Sequence, residues 1–276
     1  MSGDRSTPGP AASIAEPSSV PSGELRTVVF HGTAQIGGAP VASVIVLASV
    51  VAVLSFIPFS VALSAGNGFP MAQGVYSLTG WLLGPWAGAT ASGVGSLIGI
   101  FLAPHTAGIP WITVGGAASG ALFAGVITRQ RTHRRLTGLL AVVIVLEVVI
   151  FVRHAVFTNG VRPGVFVAAY LTHLIAIVGF LLPTRRWIGG LIASPDLRRV
   201  ALGLFLGTWM AASLMMFGES MMGYLILNWP DELFVFFAGI IPLEQAARSG
   251  IGAVIGTGVI AGLRSMSLVK PRDARY

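Results

Sequence analysis

The chain has no cysteine, which removes disulfides, thiolate nucleophiles and cysteine-held metals. It has little charge: 10% of its 276 residues are Asp, Glu, Lys or Arg, against about 25% in a soluble domain. Lys270 is the one lysine beside sixteen arginines. Catalytic motifs are missing as well. There is no GxSxG elbow, no HExxH and no P-loop GxxxxGK[ST], so serine acyl transfer, zinc hydrolysis and nucleotide hydrolysis lose their usual carriers. The five histidines are scattered and form no ligand set. The sequence therefore calls for no enzyme chemistry, no metal and no cofactor. Strict apolar/polar alternation is absent, which excludes a membrane-spanning strand pattern.

Apolar runs fill the space these absences leave. Hydrophobic residues make up 54% of the chain and mean hydropathy is +0.82. Runs near 20 residues, the length of a bilayer-spanning helix, recur at roughly 41–63, 70–83, 86–103, 110–128, 137–156, 164–183, 199–227 and 233–263. The expected fold is an all-α polytopic membrane bundle of six to eight transmembrane helices. Residues 1–38, rich in Pro, Ser, Gly and Ala, read as a disordered cytoplasmic tail. Residues 39–265 read as the membrane domain and 266–276 as a basic cytoplasmic tail. Ala62-Leu63-Ser64 resembles a signal cleavage site, but the run before it is long and its leader longer, so 41–63 reads as a retained helix.

Net charge is +7. In a soluble protein that would point to nucleic acid. Here the arginines sit in loops, so they read as topology signals and contacts to anionic headgroups, with no nucleic-acid partner. Arg129, Arg131, Arg134 and Arg135 crowd one loop, and Arg185, Arg186, Arg198 and Arg199 flank another. Arg264, Lys270, Arg272 and Arg275 follow the last run. The positive-inside tendency puts all three regions and both termini in the cytoplasm. Residues 70–83 and 86–103 then form a hairpin that turns at Gly84-Pro85 on the inner side.

Small residues recur at helical spacing: Gly84, Gly88, Ser92 and Ser96, then Gly95 and Gly99. Such stripes let helices approach closely in lipid. Ordinary packing within the chain is one reading. Docking of another membrane protein is the other, and the first helix, with Ala42, Ala48 and Ala52, is its best candidate.

Charged groups inside a span are costly and mark sites or pathways. Counting along the runs places Glu147 and Glu244 near mid-depth, Glu219 in the outer third, and Arg153 with His154 near the outer end. Tyr224, Asn228 and Trp229 cap the seventh run on the outside. Asn67, Phe69 and Gln73 stand at the outer mouth of the second, and Trp111 at that of the fourth. This inventory suits a pocket open to the outside. Plainer readings stand beside it. Glu244 and Arg248, four apart, can pair on one helix face. Arg153 and Arg162 can snorkel to headgroups, and Trp81, Trp86, Trp111, Trp187 and Trp229 can be interface anchors. Glu219 has nothing nearby in sequence to neutralise it.

The stretch GNGFPMAQGVYSLTGWLLGPWAGATASGVGSLIG, residues 66–99, resembles the substrate-binding (S) components of energy-coupling factor transporters. Those proteins show a Pro-Gly loop after the first helix, a helix ending in LLGP, then a small-residue helix. IPLEQAARSGIGAVIGTGVIAGL, residues 241–263, looks like their last helix. Ala48-x-x-x-Ala52 matches the small-residue motif that their first helix presents to the coupling subunit. The usual member has six helices, so the pair at 137–183 reads as an insertion, or some runs do not span.

The resemblance implies capture of a vitamin or related trace nutrient at the outer face of a bacterial cell membrane. A transmembrane coupling subunit and two ATPase subunits would move it inward as the S component topples. Candidate ligand contacts are Asn67, Phe69, Gln73, Trp111, Glu147, His154, Glu219, Tyr224, Asn228 and Glu244; candidate docking residues are Ala48 and Ala52. An autonomous secondary transporter, with Glu147, Glu219 or Glu244 carrying protons, is the competing expectation. A membrane sensor or scaffold ranks third, since the short basic tail carries no output domain. A membrane enzyme ranks last.

Overall fold

The computed structural model describes residues 34–60, 69–128 and 133–266. The calls on residues 1–33, on Asn67 and on the tail beyond residue 266 lie outside them. The described residues form a helical bundle. Six helices are long and apolar enough to cross a membrane: α3 (Pro85–Leu102), α4 (Pro110–Thr128), α5 (Arg134–Val152), α6 (Pro163–Leu181), α8 (Leu197–Leu227) and α9 (Asp231–Ser265). Three shorter helices complete the set: α1 (Val41–Leu54), α2 (Tyr76–Leu83) and α7 (Thr184–Ile192).

The first two apolar runs differ from expectation. The run at 41–63 is helical only to Leu54. Pro58 disfavours the α conformation at Ile57, and the chain turns into β3 (Pro58–Ser60), which pairs antiparallel with β4 (Phe69–Pro70). The run at 70–83 divides into a 3-10 turn (Met71–Gly74) and α2. Neither segment reaches spanning length as one α-helix, which leaves six long helices rather than eight. The domain also begins before residue 39: β1 (Gln35–Ile36) pairs with β2 (Ala39–Pro40) in a tight turn, in the stretch expected to be tail.

The hairpin at Gly84-Pro85 forms as read. Gly84 ends α2 at φ 87°, a backbone conformation open to glycine, and Pro85 opens α3 with φ preset for a first turn. Its helices close without side chains between them. A Cβ on Gly88 would stand 2.7 Å from the Gly80 Cα, and one on Gly80 would strike the Ala121 carbonyl oxygen of α4. Thr79 bonds the Gly88 carbonyl at 3.2 Å and faces the Ser92 hydroxyl at 2.7 Å.

Helix α1 runs alongside α3 in the same direction. Gly37 lies against Trp86, Ala48 and Val51 against Gly95, and Ser55 against Gly99. Ala48 and Ala52 are therefore buried within the chain. This corrects the expectation that they stand free of the hairpin to dock a partner: their small size serves the α1–α3 contact.

At one end of the bundle lie Gly37, the Gly84-Pro85 turn against Gly125, and α7, whose Ile192 carbonyl accepts from Arg264 at 3.4 Å. Arg134 and Arg135 in the first turn of α5, and Arg198 and Arg199 in the first turn of α8, belong to this arginine-rich end, and both described chain ends return to it. The opposite end carries β3 and β4, Thr106 bonded to the Ser55 carbonyl at 2.7 Å, and the α5–α6 and α8–α9 connections. Helix α7 arises inside an expected loop. It is amphipathic, burying Ile188 and Ile192 while exposing Trp187. Asp196 then caps α8, accepting from the Arg198 amide at 2.9 Å. Pro242 lies inside an α9 that continues on both sides of it.

Candidate functional site

Two polar groupings stand out in a largely apolar bundle. The first is buried where α9 meets the 3-10 turn. Arg248 is 1% exposed. Its Nε donates to Gln73 Oε1 at 2.9 Å and its Nη2 to Glu244 Oε2 at 3.3 Å. Its guanidinium lies 5.8 Å from the Phe69 ring centroid, within the range of a cation–π contact. A buried charge needs such partners, because removing one leaves the other uncompensated. Gly74 and Gly252 allow this closeness: a Cβ on Gly74 would meet Ile251 at 2.7 Å, and one on Gly252 the Gly74 carbonyl at 2.9 Å.

One turn along, Gln245 Nε2 lies 3.3 Å from His173 Nε2 of α6. From the other side Glu219 of α8 approaches α4, packing into the notch left by Gly116. Several buried polar atoms here find no hydrogen-bond partner among the described residues: Tyr76 Oη, Gln245 Oε1 and Thr208 Oγ1. Buried polar groups are normally satisfied, so such a concentration marks a place for water or a ligand.

The second grouping lies at the opposite end from the arginine-rich loops. A π-helical turn (Arg153–Thr158) closes α5 and presents His154. His154 Nε2 is 3.1 Å from Asn228 Oδ1, and Asn159 Nδ2 donates to Asn228 Oδ1 at 3.0 Å and to Tyr224 Oη at 2.9 Å. Asn228 terminates α8 at φ 45°, a left-handed cap that asparagine tolerates. A pocket of about 400 Å³ opens beside them, lined by Asn159, Val161, Tyr224, Trp229 and Asp231 among others. Arg162 pairs with Asp231 at 2.6 Å, an ion pair in place of the expected reach to headgroups.

Aromatic rings join the two groupings. His154 packs edge-on against Tyr224 with centroids 5.7 Å apart, Tyr224 against Phe234 at 5.5 Å, Phe234 against Tyr170 at 6.1 Å, and Tyr170 against His173 at 5.5 Å.

Of the residues proposed from sequence, Phe69, Gln73 and Glu244 converge on Arg248, with Glu219 alongside. His154, Tyr224 and Asn228 meet at the pocket. Glu147 stands apart, half-buried between α5 and α8 beside Gly218. Trp111 is exposed at 57%. Trp81 is fully buried, which corrects its reading as an interface anchor. Sequence reasoning missed Tyr76, Asn159 and Gln245 as members of these groupings. Asn159 carried a visible signal, a side-chain amide before glycine between two apolar runs. Among the described residues no three His, Cys, Asp or Glu side chains gather in a metal-binding group.

Comparison of the chain with known protein families, curated proteins and solved structures finds no match.

Proposed function

We propose that this chain is the membrane-embedded substrate-capture subunit of an energy-coupling factor transporter, taking a vitamin or related small nutrient from outside the cell for ATP-driven uptake by partner subunits. The observation that carries the reading is the buried junction of Arg248, Gln73 and Glu244 beneath Phe69. It is polar, it holds unpartnered atoms, and it lies under the segment that enters the Gly84-Pro85 hairpin. With the arginine-rich end in the cytoplasm by the positive-inside tendency, the β3–β4 end and the pocket at Tyr224 face outward.

A transmembrane coupling subunit and two ATPase subunits are the partners this function requires. With Ala48 and Ala52 buried against α3, docking falls to other residues of the bundle. The test is affinity purification of tagged protein from native membranes in mild detergent. The expected result is a stoichiometric coupling protein with two ATPases. Recovery of the chain alone, from cells expressing such a module, overturns the reading.

One observation favours a second reading. The Glu147 and Glu219 carboxylates pack between helices against Gly218 and Gly116, where a proton carrier would stand. An autonomous secondary transporter would then move substrate in liposomes on a proton gradient alone.

A further inference from the structure

We propose that the pocket beside Tyr224 binds a planar ring bearing a neutral amide edge, a carboxamide or a lactam. The site is distinct from the Arg248 junction and rests on the capture reading only for its outward direction. It stands where the α5–α6 and α8–α9 connections meet, and its volume of about 400 Å³ is that of a small-molecule site. Two side-chain amides line it, Asn159 and Asn228. Asn159 Nδ2 donates to Asn228 Oδ1 at 3.0 Å and to Tyr224 Oη at 2.9 Å, which uses both its hydrogens. Asn228 Oδ1 takes that bond and faces His154 Nε2 at 3.1 Å, which engages both its lone pairs. These bonds leave the Asn159 carbonyl as an acceptor and the Asn228 N–H as a donor, on two side chains bonded to each other.

An amide edge offers the converse pair, a carbonyl beside an N–H. Its charged isosteres do not. A carboxylate sets an acceptor against the Asn159 carbonyl, and an amidinium sets a donor against the Asn228 N–H, so each leaves a polar group unmet. Among the residues lining the pocket Asp231 alone is charged. Arg162 holds both its oxygens, Oδ2 from Nε at 2.6 Å and Oδ1 from the backbone N–H at 3.3 Å. The pocket therefore offers an ion no uncompensated charge. Trp229, half-buried, gives the ligand ring its apolar contact. Its indole is fixed edge-on by Tyr224 and Phe237, with centroids at 6.1 Å and 5.3 Å. Gly160 turns the wall at φ 73°, a conformation open to glycine, and adds no side chain to it.

The test uses purified full-length protein in detergent and three probes of one shape and different charge: naphthalene-2-carboxamide, anionic naphthalene-2-carboxylate and cationic naphthalene-2-carboxamidine. Calorimetry should show the carboxamide binding, with the carboxylate and the carboxamidine at least tenfold weaker. Asn228→Gly keeps a residue that tolerates the left-handed cap and removes the amide; it should lose tenfold or more in carboxamide affinity. Arg162→Ala leaves the pocket amides in place and unpairs Asp231, so it should strengthen carboxamidine binding severalfold and leave the carboxylate weak. Equal or tighter binding of either ion by the parent, absence of carboxamide binding, undiminished binding by Asn228→Gly, or no gain for the carboxamidine in Arg162→Ala overturns the proposal. Copurification with the ATPase module reads independently. Its failure removes the transporter class and leaves the pocket; failure of the probes removes the ligand class and leaves the transporter.

Discussion

The two halves of the bundle are held together by opposite means. Helices α1 to α4 meet through missing side chains: Gly80 against Gly88 and Ala121, Gly95 against Ala48, Gly125 against Pro85. Helices α5, α6, α8 and α9 meet through large rings, with Phe151, Phe166, Tyr170, Phe217, Tyr224 and Phe234 in mutual contact. Backbone-to-backbone contact cannot yield, because neither partner has a rotamer to change. Ring contacts can repack, since rings tilt and slide at modest cost. The polar junction sits on the seam, with Gln73 and Tyr76 from the glycine-closed half and Glu219, Glu244 and Arg248 from the aromatic half. A ligand there would be gripped by a stiff wall and an adaptable one.

The comparison breaks most visibly at Gly88. Gly88→Leu forces a side chain into the Gly80 backbone and should abolish a monodisperse folded species, read by size-exclusion chromatography. If it folds with a loss below about 1 kcal/mol, the stiff-wall account fails, since overpacking a tight site typically costs about 1–3 kcal/mol or more. Arg248→Ala comes next. It breaks the buried Arg248–Glu244 pair and removes the donor to Gln73, a change worth about 3–5 kcal/mol, measurable as thermal destabilisation. On the adaptable side, Phe234→Leu should cost less, about 1–2 kcal/mol, because neighbouring rings can close part of the gap. Smallest is Arg162→Ala. Its partner Asp231 is at the surface, Arg162 itself is 69% exposed, and such pairs contribute about 0.2–1 kcal/mol.

Local signals made the glycine-closed half legible. Small residues four apart and a Gly-Pro break lie within one stretch of chain, and their physics is local. The end of α1 was misjudged because hydropathy ran on past Pro58, whose backbone restriction outweighs the apolarity of its neighbours. Helix α7 escaped notice because nine amphipathic residues among arginines look like a charged loop. At the site, Glu244 and Arg248 were legible as a pair four residues apart. The Gln73 bond to Arg248, across 175 residues, was not, since no periodicity links residues that far apart. Ala48 and Ala52 were legible as a close-approach motif, but a small-residue stripe does not say which helix approaches it, and here it is α3.

The central claim of the proposed function is that Glu219 can be reached from the face opposite the arginine-rich end. The chain has no cysteine, so Glu219→Cys supplies a single thiol without removing any other. Sealed right-side-out and inside-out vesicles would be treated with a membrane-impermeant maleimide. The account predicts labelling from outside only. Labelling from the cytoplasmic side, or none from either side, would contradict it.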